Sequence, residues 1–281
     1  MQRACMDGKW GTVYDNGKVA IPFQYEVFER FRYGYAWVKR DGKWGLIDKT
    51  GTVVTPCRYD QRNVVDNGKY AWVSRNGKWG ILFAGVWGTV TGNEILPCEY
   101  DAYVHPWLVK KGEKWGAVLW RNRNPAVVIL PCEYDEIRGF THISRWPVGD
   151  STRYAYIRKG KLWGLADVQG NIRIPCVCEK IGHCHERLLR VKKDGKWGYM
   201  NKKGAVVIPF QYDHALDFEA DSARVKKDGL WGLIDSNGNE KLPCKYDKIE
   251  LDHSMECYGY CTVWKNGKCY YDWPHKLRER T

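Results

Sequence analysis

The chain has 281 residues, with 45 Lys and Arg against 33 Asp and Glu and a net charge of +12. Its hydrophobic fraction of 44% is enough for a folded core, but no 18-residue apolar run exists, which excludes a membrane-spanning helix. The basic balance suits an acidic partner, protein or nucleic acid, and alone separates neither.

The opening, Met1-Gln2-Arg3-Ala4-Cys5, has no apolar signal-peptide core and runs directly into the first of a series of Trp-Gly pairs. In-phase pairs begin at Trp10, Trp44, Trp79, Trp115, Trp163, Trp197 and Trp231, and four of the six intervals are 34 or 35 residues. Trp87-Gly88 lies outside this phase. A fixed period of this length means one small unit copied end to end. In each copy an apolar-rich run leads into a turn pair, as at Asp41-Gly42, Asn76-Gly77, Asp194-Gly195, Asp228-Gly229 and Asn266-Gly267. These pairs take positive φ cheaply and read as hairpin turns.

Trp-Gly and a second apolar run follow, then another Gly turn (Thr50-Gly51, Lys203-Gly204, Asn237-Gly238) and a short, often β-branched run. Each copy then reaches a proline (Pro22, Pro56, Pro97, Pro131, Pro175, Pro209, Pro243), expected to close a strand because it cannot donate to a ladder. A Tyr followed by an acidic residue ends most copies. The runs are too short for helices. Each copy is therefore expected to be a three-stranded meander, with the motif Trp buried as its main bulk and the Gly allowing close backbone approach or a bulge. Such a unit cannot bury its own face, so neighbours must stack.

The Lys-Trp-Gly phrase (Lys9-Trp10-Gly11, Lys43-Trp44-Gly45, Lys196-Trp197-Gly198), with its downstream Pro and Tyr-Asp, resembles the WG-repeat (KWG) family of bacterial proteins over about residues 7 to 272. The resemblance implies an interaction module and carries no catalytic residues. Two copies depart from it: Cys178-Glu179 stands where Tyr-Asp is expected, and Lys268-Cys269 where Lys-Trp is expected. The expected fold is all-β, residues 1–281 forming one array of seven units plus a degenerate eighth at about 250–281. An open superhelix is favoured, with a closed propeller as the alternative, since about 34 residues are few for a four-stranded blade.

Cys57, Cys98, Cys132, Cys176 and Cys244 follow the repeat proline, where two other copies place Phe23 and Phe210. A position accepting Cys or Phe is an apolar packing position. With an odd total of 11 cysteines, this points to a reducing compartment, and the cytoplasm is expected. Cys178, His183, Cys184 and His185 carry ligand types suited to Zn²⁺, but their spacing matches no standard zinc signature, so they stand only as weak metal candidates.

Basic residues recur just before the hairpin turn (Lys110-Lys111, Lys192-Lys193, Lys226-Lys227 among them) and just after it (Lys43, Lys78, Lys114, Lys161, Lys196). Equal phase implies a basic ridge along the array. It reads either as a polyanion site or as solvated strand edges partly neutralised by Asp60, Asp101, Asp135, Asp213 and Asp247. The middle copies carry insertions and out-of-phase aromatics, making Trp107, Trp120, Arg145 and Trp146 candidate partner anchors. No nucleophile with an orienting base, distinct carboxylate pair or phosphate loop appears, so no enzyme activity and no cofactor is expected. The expected function is a scaffold for a protein partner; the alternative is nucleic-acid or nucleoprotein binding through the ridge.

Overall fold

A computed structural model describes residues 1–65, 68–86, 89–104, 107–119, 126–139, 154–183, 188–219, 221–251, 261–272, 274 and 278–279. Among them the structure is strands and turns with no α-helix. The strands form eight separate antiparallel sheets in chain order. Two compact units contain them, residues 1–133 and 134–281.

The second sheet shows the plan: Val27–Phe28, Tyr35–Arg40, Lys43–Asp48 and Val53–Tyr59, hydrogen-bonded in that order. The central hairpin turns through Asp41 (φ 52°) and Gly42 (φ 72°), the left-handed pair that a two-residue loop requires. Asn76, Asp194, Asp228 and Asn266 repeat the conformation with φ of 51–53°. The next turn is held by a side chain: Asp48 accepts from the amides of Thr50 (2.8 Å) and Thr52 (3.0 Å), and Asn201 and Asp235 do the same in later sheets.

Two expectations change. Seven of the eight sheets have four strands rather than three, because a short leading strand follows directly on the acidic residue of the previous copy. Pieces such as Val27–Phe28, Lys180–Ile181 and His214–Ala215 are too short to show an alternating pattern. Nor does the proline close a strand. Trp44 pairs with Tyr59 and Leu46 with Thr55, so Pro56-Cys57-Arg58 bulges opposite Gly45 alone, and the strand continues. The same register shift recurs after Trp10, Trp79, Trp163, Trp197 and Trp231. A proline suits a bulge because its missing N–H is not needed there.

The bulge explains the motif glycine. It folds so closely over Gly45 that a Cβ there would lie 2.6 Å from the Thr55 carbonyl oxygen and 2.8 Å from the Cys57 nitrogen. At Gly198 the corresponding distances are 2.7 Å to the Ile208 oxygen and 2.8 Å to the Phe210 ring. No side chain fits between Trp and the strand behind it.

The cores lie between sheets, as stacking requires. One cluster joins Ile21 and Tyr25 of the first sheet to Phe28, Ala36, Val38 and Ile47 of the second. Another joins Tyr35, Trp37, Leu46 and Tyr59 to Ala71, Val73 and Leu82 of the third. In the second compact unit, Leu165 and Ile174 meet Leu189 and Val191, Tyr199 and Ile208 meet Ala223 and Val225, and Leu233 and Leu242 meet Ile249 and Val263.

The motif indoles are less buried than expected. Trp197 is buried, whereas Trp10, Trp44, Trp79, Trp115, Trp163 and Trp231 are half-buried at the sheet margin. The fully enclosed indoles are Trp37 and Trp72, at 4% and 0% exposed, seven residues ahead of the motif. That position is the main hook between sheets. Arg3 donates to the Phe28 carbonyl at 2.7 Å, Arg190 to Ala215 at 3.0 Å and the Tyr156 hydroxyl to Gly182 at 3.0 Å. Trp72 stacks on Tyr103 of the next sheet at 4.1 Å.

The departing copies keep this plan. Cys178 is buried opposite Trp163 in the register that Tyr59 holds opposite Trp44, and Cys269 pairs with Trp264, which keeps an indole on the other hairpin strand.

Candidate partner-binding surface

The recurring cations take fixed places in the hairpin. Residues five ahead of the motif Trp lie directly across the hairpin from it: Lys39 opposite Trp44, Lys110 opposite Trp115, Arg158 opposite Trp163, Lys226 opposite Trp231. Their charged heads sit 5.6–5.8 Å from the indole centroid. A cation over an aromatic face contributes about 0.5–1 kcal/mol at such exposed sites and covers the part of the indole that the core leaves open.

Cations after the turn are paired with the acid that ends the repeat. Lys43 pairs with Asp60, Lys78 with Asp101 and Lys196 with Asp213. Each acid also caps the hairpin turn of the following sheet: Asp60 accepts from the Asn76 amide at 2.7 Å, Asp101 from Gly112 at 2.7 Å and Asp213 from Asp228 at 2.8 Å. Asp135 and Asp247 cap the turns at Gly160 and Asn266. Glu179 serves equally, accepting from Gly195 at 2.7 Å and pairing with Lys192 at 3.2 Å. The Lys partner first, then the turn amide, holds the Asp60, Asp101 and Asp213 carboxyls below the usual range; for Glu179 the Gly195 amide leads.

The sequence candidates therefore sort unevenly. Lys110 pairs with Glu113 at 3.1 Å and Lys111 with Glu99 at 3.2 Å. Lys226 shields Trp231, while Lys193 and Lys227 make no ion pair among the described residues. Trp107 is no exposed anchor: it is 7% exposed, and its carbonyl accepts the Val118 amide at 2.8 Å. Trp120, Arg145 and Trp146 lie outside the described residues.

The cysteines after the proline reach over the motif glycine. Cys98 donates to the Val73 carbonyl at 3.6 Å and Cys176 to Ile157 at 3.5 Å, each the residue paired with that glycine. Burial pushes the Cys98 thiol up to about 11, away from the thiolate that metal binding or nucleophilic attack requires. Cys178, likewise raised to about 11 by burial, is a core residue, and His183 is exposed. Cys184 and His185 lie outside the described residues. Among the described residues no three potential ligands come together.

Sequence reading missed a cleft of about 710 Å³ on the N-terminal unit, because Arg30 and Arg32, which give it its charge, follow no period. Arg3, Arg30, Arg32 and Arg62 line it, together with Glu26 and Glu29. Arg62 is held over the rings of Trp37 (5.0 Å) and Trp44 (4.3 Å) and pairs with Glu29. Glu26 caps the turn at Gly42 (3.2 Å) and lies 3.9 Å from Lys9. Arg30 and Arg32 are exposed and make no ion pair among the described residues.

These features define a β-repeat protein whose recurring charges fasten the repeats together. The family model described as "WG containing repeat" matches at residues 10–44, 44–79, 163–197, 197–231 and 231–269, and the chain belongs to this WG-repeat family. No curated protein matches the sequence. Similar solved structures include the dihydro-heme d1 dehydrogenase NirN (12% identity, 95% of this chain and 68% of that one, TM-score 0.31) and a eukaryotic initiation factor (10%, 97% and 81%, 0.36). Sqt1 of Saccharomyces cerevisiae is another (9%, 88% and 81%, 0.30). At these TM-scores none of them bears on the chemistry of this chain.

Proposed function

We propose that this chain is a non-enzymatic scaffold that binds a protein partner. The observation carrying this reading is the fate of the recurring cations. Lys43, Lys78 and Lys196 are neutralised by repeat carboxylates, and Lys39, Lys110 and Lys226 lie over indoles. Nucleic-acid binding draws its affinity from many uncompensated cations along one track, and the pairing of Lys43, Lys78 and Lys196 interrupts such a track at every repeat where it occurs. The raised thiols of Cys98 and Cys178 disfavour cysteine chemistry at those sites.

The test is capture by in-cell cross-linking and mass spectrometry, paired with a gel shift against RNA and DNA at about 0.15 M salt. Reproducible cross-links to one protein and no nucleic-acid retention are expected. Retention of either nucleic acid at that salt overturns the reading.

A further inference from the structure

From the cleft on the N-terminal unit we infer a binding site for an acidic peptide segment, with carboxylates meeting Arg30 and Arg32 and an apolar side chain seated against Val64. The inference rests on the protein-scaffold reading and names the chemistry of the segment that such a partner presents. The volume of about 710 Å³ falls within the roughly 300–1,000 Å³ range of ligand sites.

Charge accounting selects the ligand's sign. Four arginines line the cleft against two glutamates, and both glutamates are already engaged, Glu29 by Arg62 and Glu26 by the Gly42 amide and Lys9. The surplus resides on Arg3, Arg30 and Arg32; Arg3 is held against the Phe28 carbonyl and the Trp10 ring, which leaves Arg30 and Arg32 as the unengaged pair. A guanidinium fork presented to a cleft suits a carboxylate bidentately.

The wall is apolar as well as basic: Val64 is 37% exposed, beside the half-buried Trp10, whose ring lies 5.8 Å under the Arg3 guanidinium. That mixture matches a segment carrying both acidic and apolar side chains. A phosphate chain would gain the few cations of one cleft and meet Glu26 and Glu29 beside them, whereas tight polyanion binding needs a longer uncompensated series.

Tyr33 and Gly34, with φ of 52° and 98°, form a left-handed two-residue turn closed by the Arg32–Tyr35 backbone pair, which fixes the end of the loop that carries Arg30 and Arg32. Gly68 lies against it so closely that a Cβ there would sit 3.3 Å from the Tyr33 ring.

The probe is a fluorescent oligo-glutamate peptide with one central leucine, titrated by anisotropy onto the full chain at about 0.05 M and about 0.15 M salt. R30E/R32E is expected to bind at least about tenfold more weakly, as loss and reversal of two facing charges implies. K49E/K203E changes net charge equally at exposed turn positions outside the cleft and is expected to match the wild-type affinity; both variants are expected to retain the wild-type circular dichroism spectrum. Equal weakening in both variants would show that overall charge does the binding and overturn the site. So would tighter binding of an oligonucleotide abolished by R30E/R32E, or no peptide binding at the lower salt. If R30E/R32E keeps every protein cross-link of the wild type, the cleft assignment fails while the scaffold reading stands.

Discussion

Two loops occupy the same place in the repeat and handle charge in opposite ways. One joins Val27–Phe28 to Tyr35–Arg40, the other His214–Ala215 to Ala223–Lys227. Each ends in an isolated bridge, Arg32 to Tyr35 and Glu219 to Ser222, and each tucks a phenylalanine, Phe31 or Phe218, against the core. The later loop uses its acids internally: Asp217 pairs with Arg190 at 2.8 Å and Glu219 with Arg224 at 3.0 Å. The earlier loop presents Arg30 and Arg32 at those positions with no ion pair among the described residues. The repeat thus fixes the backbone and the apolar contact and leaves the charges free to vary. A charge consumed in fastening sheets is structural, and a charge left open is available to a partner.

The contrast breaks first if the frame shared by both loops is weaker than its packing implies. Trp72 is 0% exposed and stacked on Tyr103, so Trp72→Ala should cost about 3–5 kcal/mol in chemical denaturation. Gly45→Ala drives a Cβ into the bulge and should cost about 3 kcal/mol, while Gly42→Ala meets only open space and left-handed strain, about 1 kcal/mol. Equal costs at the two glycines would contradict the account of the motif.

Arg224→Ala and Arg30→Ala sharpen the loop comparison directly. Arg224 holds Glu219 and the Ile249 carbonyl (3.3 Å), so its loss should lower stability by about 1 kcal/mol in thermal melts, whereas Arg30→Ala should leave the melt unchanged. The smallest effect concerns pH. The carboxyls of Asp60, Asp101 and Asp213 are lowered from an ordinary value of 3.8. Their contribution is therefore complete above that value and lost as pH falls through the lower native values. Melting temperature against pH should drop less steeply below about 4 in Asp60→Asn than in the wild type.

Much of this frame was legible in the sequence, for identifiable reasons. Asp-Gly and Asn-Gly pairs dictate left-handed turns, and the 34-residue period dictates stacking. The proline was misread because a missing N–H suits a bulge as well as a strand end. The leading strands escaped because, at two to five residues, they are too short to show a clear alternation. The inter-sheet hook escaped because Arg3, Trp37, Trp72, Tyr156 and Arg190 share size and reach rather than chemistry. Trp107 looked like an anchor by being out of phase, yet it fills a core. The cleft left no periodic signature, since Arg30 and Arg32 belong to a loop whose charges differ between copies.

Everything here depends on cores that belong to pairs of sheets. Tyr199, 0% exposed, lies in the cluster between the sixth and seventh sheets, and its hydroxyl donates to the Leu216 carbonyl at 2.7 Å. Hydrogen exchange on full-length Tyr199→Ala tests this most directly. The account requires protection to fall together in Leu188–Lys193, Lys196–Asn201 and Ala223–Lys227, with Tyr35–Arg40 unchanged. Loss confined to the sixth sheet, with Ala223–Lys227 fully protected, would contradict it.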